Sequence, residues 1–118
     1  MLLAVLERRT ATAFSNLEVY VSVVGGLKLS DPGSDLGFCL ALVSAALDKP
    51  ARAHLAAIGE VGLGGEVRHV NHLERRVREA ERMGFTEILV PASAKPIESR
   101  RSTIVRVASV TEAFKHAF

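Results

Sequence analysis

The stretch Ser30-Asp31-Pro32-Gly33-Ser34-Asp35-Leu36-Gly37-Phe38-Cys39-Leu40-Ala41-Leu42-Val43 passes from a polar turn into an apolar helix, and the rest of the chain is read outward from it. Asp31 before Pro32 predicts an N-cap followed by proline at the first helical position, where a missing N–H costs nothing. Leu36, Leu40, Val43 and Leu47 recur at helical spacing with Cys39 beside them, until Lys49-Pro50 ends the element. Ser34 and Asp35 are expected to accept hydrogen bonds from the free amides of the first turn.

Toward the N-terminus, Leu27-Lys28-Leu29 predicts a short strand, Gly25-Gly26 a bend, and Glu18 to Val24, rich in β-branched residues, another strand. Met1 to Arg9 carries Leu2, Leu3, Val5 and Leu6 at helix-like spacing with little to cap its start. Toward the C-terminus, His54 to Ile58 predicts a buried strand, and the glycines at 59, 62, 64 and 65 predict tight turns in a hairpin running to Val67. Asn71 with Glu74 three residues on forms a capping box for a helix in which Leu73, Val77, Ala80 and Met83 or Gly84 follow the helical period, with Gly84 as its left-handed stop. Phe85 to Val90 reads as a strand closed by Pro91, a polar loop follows, and Thr103 to Val107 is the last strand. Ser109 with Glu112 then caps a terminal helix presenting Val110, Ala113, Phe114 and Ala117. Strands and helices interleave without a long βαβ repeat, so the fold class is α/β (α+β) with a mixed sheet.

A length of 118 residues makes one domain, 1–118, and 48% apolar residues predict a folded core. Met1 to Leu6 is too short to span a bilayer and lacks the order of a secretory signal, so no membrane association is expected. The lone Cys39 leaves no internal disulfide, which fits a reducing, cytoplasmic setting. A formal charge of +2 tolerates polyanions without demanding them.

Several segments together resemble one family over nearly the whole chain. They are Leu2 to Arg9; Val19-Tyr20-Val21-Ser22-Val23-Val24-Gly25-Gly26; Asp35-Leu36 opening a helix through Ala41-Leu42-Val43-Ser44; Gly59-Glu60-Val61-Gly62-Leu63-Gly64-Gly65-Glu66-Val67-Arg68; and Glu81-Arg82-Met83-Gly84-Phe85 leading to Ile88-Leu89-Val90-Pro91. The chain resembles the carboxy-terminal, Lon-protease-like domain of the RadA (Sms) family of bacterial DNA repair proteins. The resemblance implies the mixed α/β unit of Lon peptidase domains, ribosomal protein S5 domain 2-like. Members of that family carry a four-cysteine zinc finger and a RecA-like ATPase ahead of this domain, and form hexameric rings that bind DNA and promote branch migration. These 118 residues hold no Gly-Lys-Ser/Thr phosphate loop and no paired cysteines, so neither ATP hydrolysis nor a cofactor is carried over. The resemblance leaves an excised domain or a truncated relative, and the helix-like start at Met1 favours excision from a longer chain.

Active Lon-type peptidases pair a serine within Pro-Ser-Ala-Gly, at the start of the first core helix, with a lysine in the helix after the glycine-rich hairpin. The resemblance places the serine on Gly33 and the lysine on Arg76. Gly33 has no side chain to attack with, and a guanidinium stays protonated far above neutral pH, so both roles are lost. Ser34 is the adjacent hydroxyl, yet one residue turns a helical side chain by about 100°. It is read as a capping or surface residue, with a degenerate serine peptidase as the alternative function.

Other candidates point to bland roles. His69 and His72 stand three apart without a third ligand of convincing spacing, so no metal site is expected. His54 is read as structural and Cys39 as a buried, inert thiol. The glycine-rich segment is read as a turn because Glu60 and Glu66 oppose a phosphate there.

Arg68, Arg75, Arg76, Arg78 and Arg82 form the densest positive cluster, in which Arg75, Arg78 and Arg82 make a helical stripe. The plain alternative is a solvated face with Glu74–Arg78 and Arg75–Glu79 pairs. With one tyrosine and no tryptophan, a base-stacking platform is not expected. The resulting expectation is a non-catalytic scaffold and oligomerisation domain, with weak backbone contact to DNA through Arg68, Arg75, Arg78 and Arg82. A protein-interaction module without a nucleic-acid role is the third reading.

Overall fold

Five consecutive residues, Glu87–Pro91, make the middle strand of the sheet, and four of them are buried. The computed structural model describes residues 32–118. A 3-10 turn at Pro32–Ser34 leads into α1 (Asp35–Leu47), followed by β1 (Leu55–Ala57), β2 (Glu60–Val61) and β3 (Val67–Arg68). Then come α2 (Leu73–Arg82), β4 (Glu87–Pro91), β5 (Thr103–Val107) and α3 (Val110–Ala117). The expected helix at Met1 to Arg9, the strands at Glu18 to Val24 and Leu27 to Leu29, and the Asp31 N-cap lie outside the described residues.

Strands β1, β4 and β5 form a parallel sheet in that order, with Ala56 opposite Ile88 and Ile88 opposite Ile104. Strands β2 and β3 form an antiparallel hairpin in which Val61 faces Val67. The fold is therefore α/β with parallel and antiparallel pairs, as expected. Successive strand side chains point to opposite faces, so the parallel sheet feeds two cores. Leu89, Ala57 and Val105 pack with α1, α3 and the hairpin, whereas Ile88, Val90, Ala56 and Ile104 pack with α2.

The helix boundaries show which local signals survive tertiary context. Ser109 is extended and its side chain accepts from Glu112 N at 3.1 Å, the cap that the sequence predicts. α2 ends as expected at Gly84, where Gly84 N bonds Glu81 O and Phe85 N bonds Ala80 O, with Gly84 at φ 94°. Its start differs. His72 adopts a left-handed conformation (φ 60°) directly before Leu73 and supplies no side-chain cap, so Asn71 is displaced from the capping position.

In α1, Leu36, Cys39, Leu40, Leu42 and Val43 are buried, but Leu47 is 49% exposed. Asp48 turns left-handed (φ 49°) and closes the helix through bonds to Ala45 O and Ser44 O, which leaves the last leucine beyond the edge of the core. β1 is half-buried and one residue shorter at each end than expected. His54 is exposed and left-handed, and its carbonyl accepts from Thr86 N (3.0 Å) and Glu87 N (3.3 Å), aligning β1 with β4.

Candidate functional site

The turn at Pro32–Ser34 and the first residues of α1 are tied to the chain entering the hairpin. Gly59 N donates to Gly33 O (3.1 Å), Leu36 N donates to Gly59 O (3.0 Å), and Val61 N donates to Asp35 Oδ2 (3.2 Å). Asp35 thus reaches across to a strand amide, while Ser34, expected to cap the first turn, makes no side-chain capping bond. The turn brings the Val61 amide of β2 beside the Asp35 carboxylate.

Arg76 comes from the first turns of α2, and its Nε donates to Asn71 O at 2.9 Å, which bends the side chain toward the helix start. Its guanidinium ends against Gly33. A Cβ at position 33 would stand 2.5 Å from Arg76 Nη1 and 2.7 Å from Cζ, inside any real contact distance. The structure therefore brings Gly33 and Arg76 together and fills the space of a side chain at 33 with a permanently charged group.

These two residues border two clefts. The larger, about 680 Å³, has an apolar floor that includes Ile58, Ala80 and Phe85, with Arg75 and Glu79 also in its lining. The smaller, about 140 Å³, includes Glu60, His69 and Asn71. Ser34 lines only the larger.

Arg75, Arg78 and Arg82 are exposed on α2, opposite its buried residues Leu73, Val77 and Ala80. Arg78 pairs with Glu74 at 3.6 Å, as the spacing predicts. Glu79 pairs with Arg82 at 2.9 Å rather than with Arg75, so Arg75 makes no ion pair among the described residues. Arg68 is not part of this stripe. It sits on β3 between Glu60 (3.9 Å) and Glu66 (3.3 Å).

His69 and His72 share a cleft of about 490 Å³ with Ser93 and Lys95, a grouping that sequence spacing does not reveal. Lys95 and Ser93 enter from the loop after β4, and only the crossover brings that loop to the start of α2. Among the described residues, no group of three or more His, Cys, Asp or Glu side chains is placed to hold a metal ion. Cys39 is fully buried, and burial, reinforced by the Asp35 charge, pushes its thiol up to about 12, consistent with the inert thiol expected.

Glu66 has a structural task in the hairpin. Gly62 N donates to Glu66 O, Gly64 N donates to its Oε1 (3.0 Å), and its carboxylate lies where a Gly62 Cβ would project. Bonds from its own amide, then from Gly64 N, together with the Arg68 guanidinium hold the Glu66 carboxyl below the usual carboxylate range. The stabilisation is thus fully present above the ordinary carboxylate value and lost as pH falls through the lowered folded value. Thermal midpoints measured between pH 7 and pH 3 should fall less steeply for Glu66→Gln than for the wild type; parallel curves would remove this role.

The whole-chain comparisons fit this architecture. Residues 5–112 match the family model described as the Lon protease (S16) C-terminal proteolytic domain. Similar relatives include the DNA repair protein RadA of Chlamydia pneumoniae, 44% identical over 105 residues that cover 86% of this chain and 23% of that protein. RadA of Mycobacterium tuberculosis is 44% identical over 110 residues, 89% of this chain and 23% of that protein. RadA of Streptococcus pneumoniae is 35% identical over 120 residues, covering 100% of this chain and 29% of its own length. The chain spans about a quarter of the length of these relatives. The helices on both sheet faces, the glycine-rich hairpin and the match over most of the residues lead to one assignment: the chain belongs to the Lon protease C-terminal domain family, as the Lon-like C-terminal domain of RadA.

Proposed function

We propose that the chain is a non-catalytic scaffold domain of a RadA-type DNA repair protein, supporting oligomerisation and touching the DNA backbone weakly. The observation that carries the non-catalytic part is the Arg76 guanidinium lying against the Cα of Gly33, at the two positions where the family resemblance puts a peptidase's serine and lysine. A guanidinium does not give up its proton near neutral pH, so nothing at position 76 activates a hydroxyl. Ser34 is exposed beside it, and among the described residues no lysine lines the cleft that Ser34 borders.

The DNA part is supported by the outward arginines of α2, by Arg68, and by the repair function in the relatives' names. Contacts of this kind position a protein on phosphates without reading sequence. With two of the three stripe arginines already paired to glutamates, the interaction is weak and salt-sensitive.

Fluorescence anisotropy with labelled duplex at low and moderate salt tests this reading. Arg75→Glu with Arg78→Glu should weaken binding by about tenfold or more at low salt, with a shallower salt dependence. A fluorophosphonate probe should leave Ser34 unlabelled. Unchanged assembly and no salt-sensitive binding in the wild type would overturn the DNA role; labelling of Ser34 would overturn the non-catalytic one. Light scattering of the same variants separates a pure interaction module, which predicts changed assembly without DNA binding to lose.

A further inference from the structure

The cleft at the start of α2 gathers two histidines, a serine and a lysine. His69 and His72 line it from one side, Ser93 and Lys95 from the loop after β4, and Leu73 and Ile97 add apolar wall. Its volume, about 490 Å³, exceeds that of a bare phosphate and accommodates a phosphate with its sugar. His69, His72 and Lys95 make no ion pair among the described residues, in contrast to Arg68, Arg78 and Arg82. Leu73 and Glu74, which open the ten-residue helix α2, are also in the lining, and His72 gives them no side-chain cap.

We propose that this cleft binds one phosphate of the nucleic-acid backbone, with Lys95 supplying charge and His69, His72 and Ser93 supplying N–H and O–H donors. The inference rests on the DNA-contact reading and adds a defined pocket to it. The Lys95 ammonium disfavours a cation in the same space, and two imidazoles with Glu74 are not placed to form a metal-binding group. Glu74 is the opposing charge in the cleft, and its Oε2 lies 3.6 Å from Arg78 Nη2. Removing that carboxylate should therefore improve the site. His69 also borders the smaller cleft with Glu60 and Arg76.

Two of the four histidines, His54 and His116, lie outside the cleft and serve as internal controls. In NMR spectra of the whole chain, duplex DNA should shift the ring protons of His69 and His72 and leave those of His54 and His116 in place. Lys95→Gln should weaken DNA binding about threefold to tenfold and lower the salt slope by about one. Glu74→Gln should tighten binding by about twofold or more, since a like charge beside a phosphate is removed.

If duplex binds while the His69 and His72 rings stay still, the cleft is not used, and the arginine-based reading stands without it. If no duplex binds at all, the DNA reading itself falls and takes this inference with it. A second titration, with inorganic pyrophosphate, separates phosphate sources: rings that move with pyrophosphate but not with duplex assign the cleft to a soluble phosphate and overturn the proposal. Weaker binding in Glu74→Gln overturns it as well, because a site that needs the carboxylate is a cation site.

Discussion

Gly59→Ala is expected to lower the free energy of unfolding by about 2–3 kcal/mol, a large effect for one added methyl group. Gly59 is buried at the junction where the Pro32–Ser34 turn meets the hairpin. A Cβ there would stand 2.6 Å from Val67 Cγ1, with Pro91 Cγ at 3.6 Å and Leu36 Cβ at 3.8 Å behind it. Val67 has little freedom to give way. It is β-branched and 7% exposed, and its amide donates to Ala108 O at 2.9 Å. Both backbone bonds of Gly59, to Gly33 O and from Leu36 N, would be pulled with it. Val67→Ala makes room at the cost of its own lost packing. Urea titrations of the two single variants and the double should show a favourable coupling of about 1 kcal/mol or more. Additive losses, or a nearly neutral Gly59→Ala, would show that the hairpin yields and that this close approach does not position the site.

The second large effect is expected at Gly33. Serine there has to displace the Arg76 guanidinium, because its Cβ would stand 2.5 Å from Nη1. The backbone of Gly33 is not left-handed, so the cost is steric and electrostatic rather than conformational. The arginine can swing away, but only by giving up the bond from its Nε to Asn71 O. Hydrogen bonds of a charged group at a partly buried position set the loss at about 2 kcal/mol. In an Arg76→Ala background the same Gly33→Ser change should cost less than about 0.5 kcal/mol, since the obstacle is gone. Thermal or chemical unfolding of the four proteins measures this. Equal costs in both backgrounds would mean that the two residues are not coupled and that Arg76 does not exclude a serine at position 33.

Features whose cause is local were legible without coordinates. Ser109 and Glu112 are three residues apart, and the hydroxyl-to-amide bond follows from that spacing. Gly84 ends α2 because a left-handed residue is needed there, and glycine takes it without strain. Thr103 to Val107 is a strand within the predicted bounds, and the glycine-rich run is a hairpin because Val61 and Val67 alternate inward. The Asn71 capping box fails for a reason no periodicity contains: His72 goes left-handed as the chain comes off the hairpin, and Asn71 then gives its carbonyl to Arg76. Similarly, Glu79 had two arginines within reach and took Arg82, a choice between nearly equal surface pairs.

Hydrophobic spacing, glycines and caps determined an α/β domain, the end of α2 at Gly84 and the start of α3 after Ser109. Those features depend on bonds within a few residues, which each segment carries with it. Tertiary structure alone decided that the guanidinium of Arg76 fills the place of a side chain at Gly33, that Asp35 serves the amide of Val61, and that Lys95 meets His69 and His72 across a cleft. Each of these joins elements distant in the chain, and their meeting is set by how the sheet and α2 pack, a constraint that no single segment encodes.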